Sequence, residues 1–233
     1  TFGGFIGYGK QGNDWGRRRG SWDQAETTAG AFIGWRADGG AWVNAQLSYT
    51  WLDVDSDRTV QIGPVTRLHR GQADGSNTTA AIAAGWNFGE GAMQHGPVLS
   101  LVAQRIKIDG FAESEPTLSS SLAYPAQDID SLVGSAGWQI AYAASDALRP
   151  YARLTVDREF EDAPAEAFAQ AQSLPSTLPY AVPARAYDDS YATATLGTQT
   201  RLFGLDANLG ASLTVGQKAG SNTTFFATIG AGF

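Results

Sequence analysis

The chain ends in Asn222-Thr223-Thr224-Phe225-Phe226-Ala227-Thr228-Ile229-Gly230-Ala231-Gly232-Phe233, a stretch whose side chains alternate in character. Counting back in twos from the last residue gives only apolar side chains: Phe233, Ala231, Ile229, Ala227 and Phe225. The intervening positions are small or polar except for Phe226. A period of two predicts a β-strand with two different faces. An apolar face that ends on a terminal aromatic residue is unusual for a soluble protein, because soluble chain ends fray and are rarely apolar.

The same alternation recurs through the chain. The clearest case sets Val43, Ala45, Leu47, Tyr49 and Trp51 on one face against Trp42, Asn44, Gln46, Ser48 and Thr50 on the other. The pattern predicts strands at 2–15, 22–36, 41–55, 70–88, 97–111, 127–143, 150–160, 187–202, 205–216 and 222–233. Strands of this length exceed the usual five or six residues of soluble sheets.

The links between these segments alternate in length. Short links fall at 38–40, 89–96, 144–149 and 203–204, on the side of the chain end. Longer polar links fall at 16–21, 56–69, 112–126 and 161–186, with a shorter one at 217–222. Within the longest link, 165–172 could form two turns of helix. Short turns at one end and long loops at the other are typical of outer-membrane barrels.

We therefore predict an all-β fold, an antiparallel transmembrane β-barrel with ten legible strands, in the bacterial outer membrane. Such strands must close on themselves, since lipid offers no partner to an unpaired backbone group. The alternative is a soluble β-sandwich or lipocalin-like barrel, with its polar face in water. We call the alternate positions that share one face of a strand a parity. In segment 97–111 the apolar parity continues to Ala103 and then carries Arg105 and Lys107. Either a bulge shifts the register there or the strand has risen beyond the lipid.

In the barrel interpretation the polar parity faces the lumen. The charged and amide residues assigned there are Arg36, Gln46, Arg153, Gln199, Arg201, Asp206 and Asn208. Charges of both signs imply a lumen that is hydrated, filled by a segment of the same polypeptide, or closed by ion pairs.

Composition excludes several functions. The net charge of −7 argues against nucleic acid as a partner. Cysteine is absent, so there is no thiolate metal site or cysteine nucleophile. No catalytic motif, metal site or cofactor is predicted. His69 and His95 are expected to be solvated loop residues at opposite ends of the barrel.

An arginine run lies on the side of the long loops. Arg17, Arg18 and Arg19, together with Arg67 and Arg70, could hold lipopolysaccharide phosphates, for which forked guanidinium groups are suited. The alternative is a simple solvated loop.

Several stretches resemble one family, the translocator barrel of GDSL-type esterase autotransporters, which belong to type V secretion. The matching stretches are 7–11, 13–16, 41–46, 48–53, 74–77, 130–134, 191–194, 202–208 and 216–218. The resemblance implies an outer-membrane domain that helps export, and then anchors, an N-terminal passenger, with an esterase as the expected passenger. A GDSL-type nucleophile block is absent from this chain, so no hydrolase activity is expected of it.

Further expectations follow from the resemblance. Phe225, Ala227, Ile229, Ala231 and Phe233 would be read by the barrel-assembly machinery. Family barrels have twelve strands and a linker helix from the passenger in the lumen, whereas residues 1–233 show ten strands and no such helix. The first two family strands and the linker are therefore expected to be missing. If the two strands are missing, the terminal strand does not pair with 2–8; if the chain begins at Thr1, it does. The partners implied are lipid, lipopolysaccharide, the assembly machinery and the chain's own passenger and linker helix, around a monomer. The competing function is a passive channel for small solutes.

Overall fold

A computed structural model describes residues 1–16, 19–89, 91–145, 147–162, 166–174, 179–183, 188–202, 205–218 and 220–230. The strands in these ranges are β1 Phe2–Asp14, β2 Gly20–Arg36, β3 Ala41–Ile62, β4 Val65–Trp86, β5 Met93–Ile108, β6 Phe111–Ala112, β7 Leu122–Tyr124, β8 Gln127–Tyr142, β9 Leu148–Glu159, β10 Glu166–Ala171, β11 Tyr180–Pro183, β12 Ser190–Leu202, β13 Leu205–Val215 and β14 Thr223–Gly230. The described part of the chain contains no helix capable of crossing a membrane.

Ten strands form one antiparallel sheet in the order β1-β2-β3-β4-β5-β8-β9-β12-β13-β14. These are the ten segments predicted from the sequence, and the all-β antiparallel prediction is confirmed. Every neighbour in this sheet is the next long strand along the chain, as in an up-and-down meander. Among the described residues, no ladder joins β1 to β14.

The pairing is regular, residue for residue, along every described ladder of the large sheet. In β3 and β4, for example, the ladder runs without interruption from Ala41↔Trp86 to Ile62↔Val65. A bulge would place two residues opposite one and exchange the faces beyond it. Because the described ladders contain none, one parity of each strand stays on one face of the sheet along its whole length.

The regular ladder settles the two alternatives for the fifth predicted strand. Residues of β5 pair in register with both β4 and β8 past Arg105 and Lys107. The basic residues therefore continue the outward face above the apolar band. There Arg105 Nε lies 2.7 Å from Asp130 Oδ1, and Lys107 Nζ lies 3.8 Å from Asp128 Oδ1. No bulge therefore accounts for the change in character, and Arg105 and Lys107 stand at the outer end of the strand on the outward face.

Aromatic side chains on the polar face lie across glycines of the neighbouring strand. A Cβ added at Gly85 would sit 2.5 Å from Trp42 Cζ2, and one at Gly210 would sit 2.5 Å from Phe226 Cζ. The pairs Phe5 with Gly30 and Tyr151 with Gly197 repeat this arrangement. The missing side chains make room for large rings on an inner face that is otherwise crowded by curvature.

Three predictions about the long links were wrong. The 56–69 link is a continuation of β3 and β4, each 22 residues long, around a turn at Gly63, whose φ is 59°. The 112–126 link includes β7, with β6 just before it. The stretch predicted as two turns of helix is β10, which pairs with β7 and β11. Alanine and glutamate favour helix weakly, and backbone partners from distant loops override that preference.

Candidate functional site: the polar inner face

The ladder registers place all seven residues predicted to face the lumen on one face of the sheet. Arg36 in β2 pairs with Trp42 in β3. The regular register of each following ladder keeps the same side of every strand on this face, as far as Asn208 in β13. Four of the seven, Arg36, Arg153, Gln199 and Asn208, line a single cavity of about 430 Å³.

The cavity shows that the sheet is curled. Its walls include Arg36 and Trp42, near one end of the strand order, and Asn208 and Phe226, near the other. Strands at opposite ends of a ten-stranded sheet can line the same cavity only if the sheet bends round to bring them together. All four of these residues belong to the polar parity, so that parity is on the concave, inner face.

Amide, guanidinium and phenol groups hold the cavity wall together through hydrogen bonds between strands. Gln139 is the centre of one chain, because its Nε2 donates to Asn87 Oδ1 at 3.0 Å and its Oε1 accepts from Arg153 Nη2 at 3.1 Å. Tyr151 Oη donates to Asn208 Oδ1 at 3.0 Å, and Arg149 donates to Gln94 Oε1. The cavity wall is therefore polar, with both donors and acceptors.

The other three predicted residues lie away from the cavity. Arg201 and Asp206 face each other at the start of the β12–β13 hairpin, with Nε and Oδ1 3.1 Å apart, and both side chains are two-thirds exposed. Gln46 is exposed further along β3. The predicted lumen residues did not include Trp42, Gln139 and Tyr151, although their parity within predicted strands was available as a signal. Gln94 and Arg149 were missed because they fell in predicted links.

The opposite face of the sheet is apolar and exposed. Phe2 is 86% exposed, Ile6 84%, Leu47 60%, Leu99 60% and Val156 65%, and each lies on the parity opposite the cavity. A soluble sheet would bury this face, so the soluble alternative is wrong. A contiguous apolar face of this extent needs a lipid or protein environment.

Aromatic residues border the apolar face. At the end with the short turns, the Phe88 ring stacks on Trp86 at 6.4 Å and on Trp138 at 6.3 Å between centroids. His95 joins this cluster, 5.8 Å from Trp138, and is not a free loop residue. Towards the other end, Tyr49 and Trp51 contact edge to face at 4.9 Å. Two aromatic girdles on either side of an apolar band are typical of membrane barrels.

The predicted assembly strand is described as far as Gly230. Phe225 and Ile229, 81% and 72% exposed, lie with Ala227 on the outward face of β14. Ala231 and Phe233 lie outside the described residues. Phe226, on the other parity, reaches the cavity.

The arginines singled out in the sequence do not form one patch. Arg17 and Arg18 lie outside the described residues, and Arg19 is exposed. Arg70 faces outward, with its Nε 3.7 Å from Asp57 Oδ1. Arg67 lies on the inner face, where it donates to Ser120 Oγ at 3.2 Å, so it cannot join an outward phosphate site.

At the end with the long links, a polar cluster is buried against the inner face of the β3–β4 hairpin. Glu113 is 4% exposed and His69 is fully buried, so the prediction of a solvated His69 was wrong. The hydrogen bond from Arg58 to Glu113 raises the pKa of Arg58 above its ordinary value. Burial raises the pKa of the Tyr124 phenol, and the nearby carboxylate of Glu113 adds to the effect.

A regular antiparallel sheet that is curled, with a polar inner face and an exposed apolar outer face bordered by aromatic residues, defines a transmembrane β-barrel protein. The sequence matches the family "Autotransporter beta-domain" over residues 1–216. The chain belongs to this family. It is a translocator domain of the outer membrane, which exports a passenger.

Two solved structures are similar to this chain. The translocator domain of autotransporter NalP from Neisseria meningitidis has a TM-score of 0.77 at 17% identity, over 100% of this chain and 75% of that one. The transport unit of the autotransporter AIDA-I from Escherichia coli has a TM-score of 0.44 at 10% identity, over 100% of this chain and 83% of that one. The first similarity supports the fold, and the second is too weak to support an argument. No match is found among curated proteins.

Proposed function

We propose that this domain exports an esterase and then anchors it at the cell surface by a linker helix seated in the barrel. The polar cavity on the inner face is the observation that carries the second part of this proposal. A helix about 10 Å across with a pitch of about 5.4 Å occupies roughly 420 Å³ per turn. The cavity of about 430 Å³ is comparable in volume with one turn, and Arg36, Arg153, Gln199 and Asn208 offer a helix polar contacts.

The esterase is inferred from the resemblance of stretches such as 41–46 and 202–208 to GDSL-type esterase autotransporters. The test uses the gene that encodes this chain, expressed with its own upstream coding sequence. We expect hydrolysis of a chromogenic short-chain ester by intact cells, abolished by removal of residues 1–233 and by external protease. A passenger that reaches the surface but hydrolyses no ester would refute the esterase while leaving the translocator in place.

A passive channel is the alternative function, since a polar cavity of this size also suits small solutes. Conductance in planar bilayers separates the two functions. Conductance that persists with the linker helix attached supports a channel. Conductance that disappears when the helix is attached, together with passenger display that depends on this domain, supports the anchored translocator.

We further propose that the outward parity of the last strand is recognised by the barrel-assembly machinery. Phe225 and Ile229 are available on the outer face, and Phe233 continues their parity in the sequence. Deletion of Phe233 is expected to reduce assembly in cells while leaving refolding into detergent unchanged. Normal assembly without Phe233 would contradict this proposal.

The lipopolysaccharide proposal now rests on Arg17, Arg18 and Arg19. Replacement of all three with glutamine should reduce association of the purified monomer with lipopolysaccharide, whereas Arg67→Gln, on the inner face, should not. Unchanged association of the triple variant would leave these arginines as a solvated loop.

A further inference from the structure

The β3–β4 hairpin continues well past the aromatic girdle formed by Tyr49 and Trp51, which we call the upper girdle. Trp51 lies in that girdle, and the ladder goes on without a bulge to Ile62↔Val65. The residues of this extension that continue the inner face include Ser56, Arg58, His69 and Gly71. Because the parity is unbroken, whatever packs on these side chains lies on the concave side of the barrel wall.

A second, smaller sheet packs there. Strands β6, β7, β10 and β11 form it in the order β11-β10-β7-β6. Phe111 in β6 fills the space above Gly71, where an added Cβ would be 2.5 Å from the ring. Beyond β6, Ser114 N donates to the backbone oxygen of Arg70 at 2.7 Å, and Arg70 N donates to Ser114 Oγ at 3.0 Å. The Phe111 ring places this sheet on the inner side of β4, and residues 111–124 and 166–174 are called here the outer cap.

Glu113 is the residue that joins the outer cap to the wall. Arg58 Nε donates to its Oε1 at 2.7 Å, and Arg58 Nη2 donates to its Oε2 at 2.6 Å. From within the cap, Leu122 N donates to Oε2 at 2.9 Å and Tyr124 Oη to Oε1 at 3.4 Å. Paired guanidinium and carboxylate groups of this geometry are among the stronger charge-assisted contacts.

A second set of contacts surrounds this ion pair. His69 Nε2 lies 2.9 Å from Ser120 Oγ, and its Nδ1 lies 3.2 Å from the backbone oxygen of Ser114. Gln172, from the other loop, donates to the backbone oxygen of Glu113 and to Ser121 Oγ, both at 2.7 Å. Both loops of the cap are thus held by one polar cluster.

We propose that the outer cap closes the outer end of the barrel at rest, with the Arg58–Glu113 ion pair as its clasp, and swings off the β3–β4 hairpin when a polypeptide passes. The polar chemistry of the clasp suits a reversible contact. A buried ion pair adds little net stability compared with apolar packing, and its separated groups are readily hydrated. An apolar seal of the same area would resist opening to water.

The test measures ion conductance of residues 1–233, without a linker helix, in planar bilayers, with Glu113→Gln as the opening variant. Gln keeps the shape of Glu113 but leaves the Arg58 charge unpaired. We expect open events on the order of 10-fold more frequent than in the unmodified protein, because Arg58 is one-third exposed and so recovers part of its hydration. Asp130→Asn is the matched control, since it breaks an exposed pair with Arg105 on the outward face and should leave conductance unchanged. Conductance of Glu113→Gln equal to that of the control would overturn the proposal.

A locking experiment tests the same proposal in the opposite direction. The chain has no cysteine, so Arg58→Cys with Glu113→Cys gives a unique pair for a short bis-maleimide linker. Without the linker we expect the elevated conductance of an unclasped cap, and with it a return to the closed level. Equal conductance with and without the linker would refute the cap. If Glu113→Gln does not fold, Ser120→Ala, which removes only the His69 and Arg67 contacts, should give a smaller rise in open events than the unlinked double variant.

These measurements record ion conductance, so their outcome does not depend on which passenger the domain exports. The cap can therefore fail while export of an esterase stands, and the esterase can fail while the cap stands.

Discussion

Leu47→Arg provides the sharpest test of which face of the sheet meets lipid. Leu47 is 60% exposed on the apolar parity of β3, between Ala31 of β2 and Ala80 of β4. Its chain neighbour Gln46 is also exposed, but on the inner face. Gln46→Arg is therefore a matched control, with the same introduced group at the same height on the other side of the wall.

The expected cost depends on depth in the membrane. From Ala41 to Trp51, β3 rises about 34 Å along the strand at ~3.4 Å per residue. At a tilt of about 40° this is ~26 Å along the membrane normal, which matches an apolar band of about 25 Å. Leu47 then lies ~3 Å from the midplane, where an outward arginine costs about 2–4 kcal/mol. That is a factor of roughly 30 to 1,000 in the folding equilibrium. Gln46→Arg should change stability by about 0.5 kcal/mol or less.

Equilibrium unfolding by urea in lipid vesicles, followed by tryptophan fluorescence, measures both free energies. The heat-dependent mobility of each variant on an SDS gel confirms that it has folded. Equal destabilisation by the two arginines, or greater destabilisation by Gln46→Arg, would refute the assignment of the outer face to lipid.

Other substitutions test the packing of the inner face in the same unfolding assay. Trp42→Ala should cost about 3–5 kcal/mol, because it removes a buried ring that covers Gly85. Gly210→Ala should destabilise by about 1–3 kcal/mol, since its Cβ meets Phe226 and a backbone oxygen at 2.5 and 2.8 Å. Gly7→Ala, whose Cβ has 3.9 Å of clearance, should be neutral or stabilising, and a cost equal to that of Gly210→Ala would contradict the argument. Arg201→Ala should change stability by about 0.5 kcal/mol or less, because its pair with Asp206 is exposed, and a larger loss would give that pair a structural role.

The aromatic and glycine pairs explain how a curved wall can carry large rings on its concave side. Curvature brings inner side chains closer together than outer ones, so a ring such as Tyr151 needs a neighbour without a side chain, which Gly197 supplies. The same reasoning applies to Gly30, Gly85 and Gly210, which lie within strands opposite aromatic rings. Glycine weakens a strand locally, and this cost is offset where a ring takes the vacant space.

The local sequence pattern was sufficient to predict the strands of the barrel wall and their two faces. Each position of β3 from Val43 to Trp51 meets either lipid or the inner face, so a period of two in polarity reports the environment directly. Outward residues such as Phe225 and Ile229, and inward residues such as Gln199, could be assigned on this basis before any coordinates. Parity alone could not show that Arg153 and Asn208 share a cavity with Arg36, because that depends on how far the sheet curls.

The outer cap could not be predicted from the sequence, because it is held by contacts between residues that are far apart in the chain. Glu113 binds Arg58, 55 positions earlier in the chain, and Gln172 binds Ser121, 51 positions earlier. Residues 166–171 favour helix by composition, yet their backbone groups pair with strands from other parts of the loops. His69 was expected to be solvated because the sequence pattern placed it in the link 56–69. Its burial comes from Ser114 and Ser120, which only the folded chain brings to it.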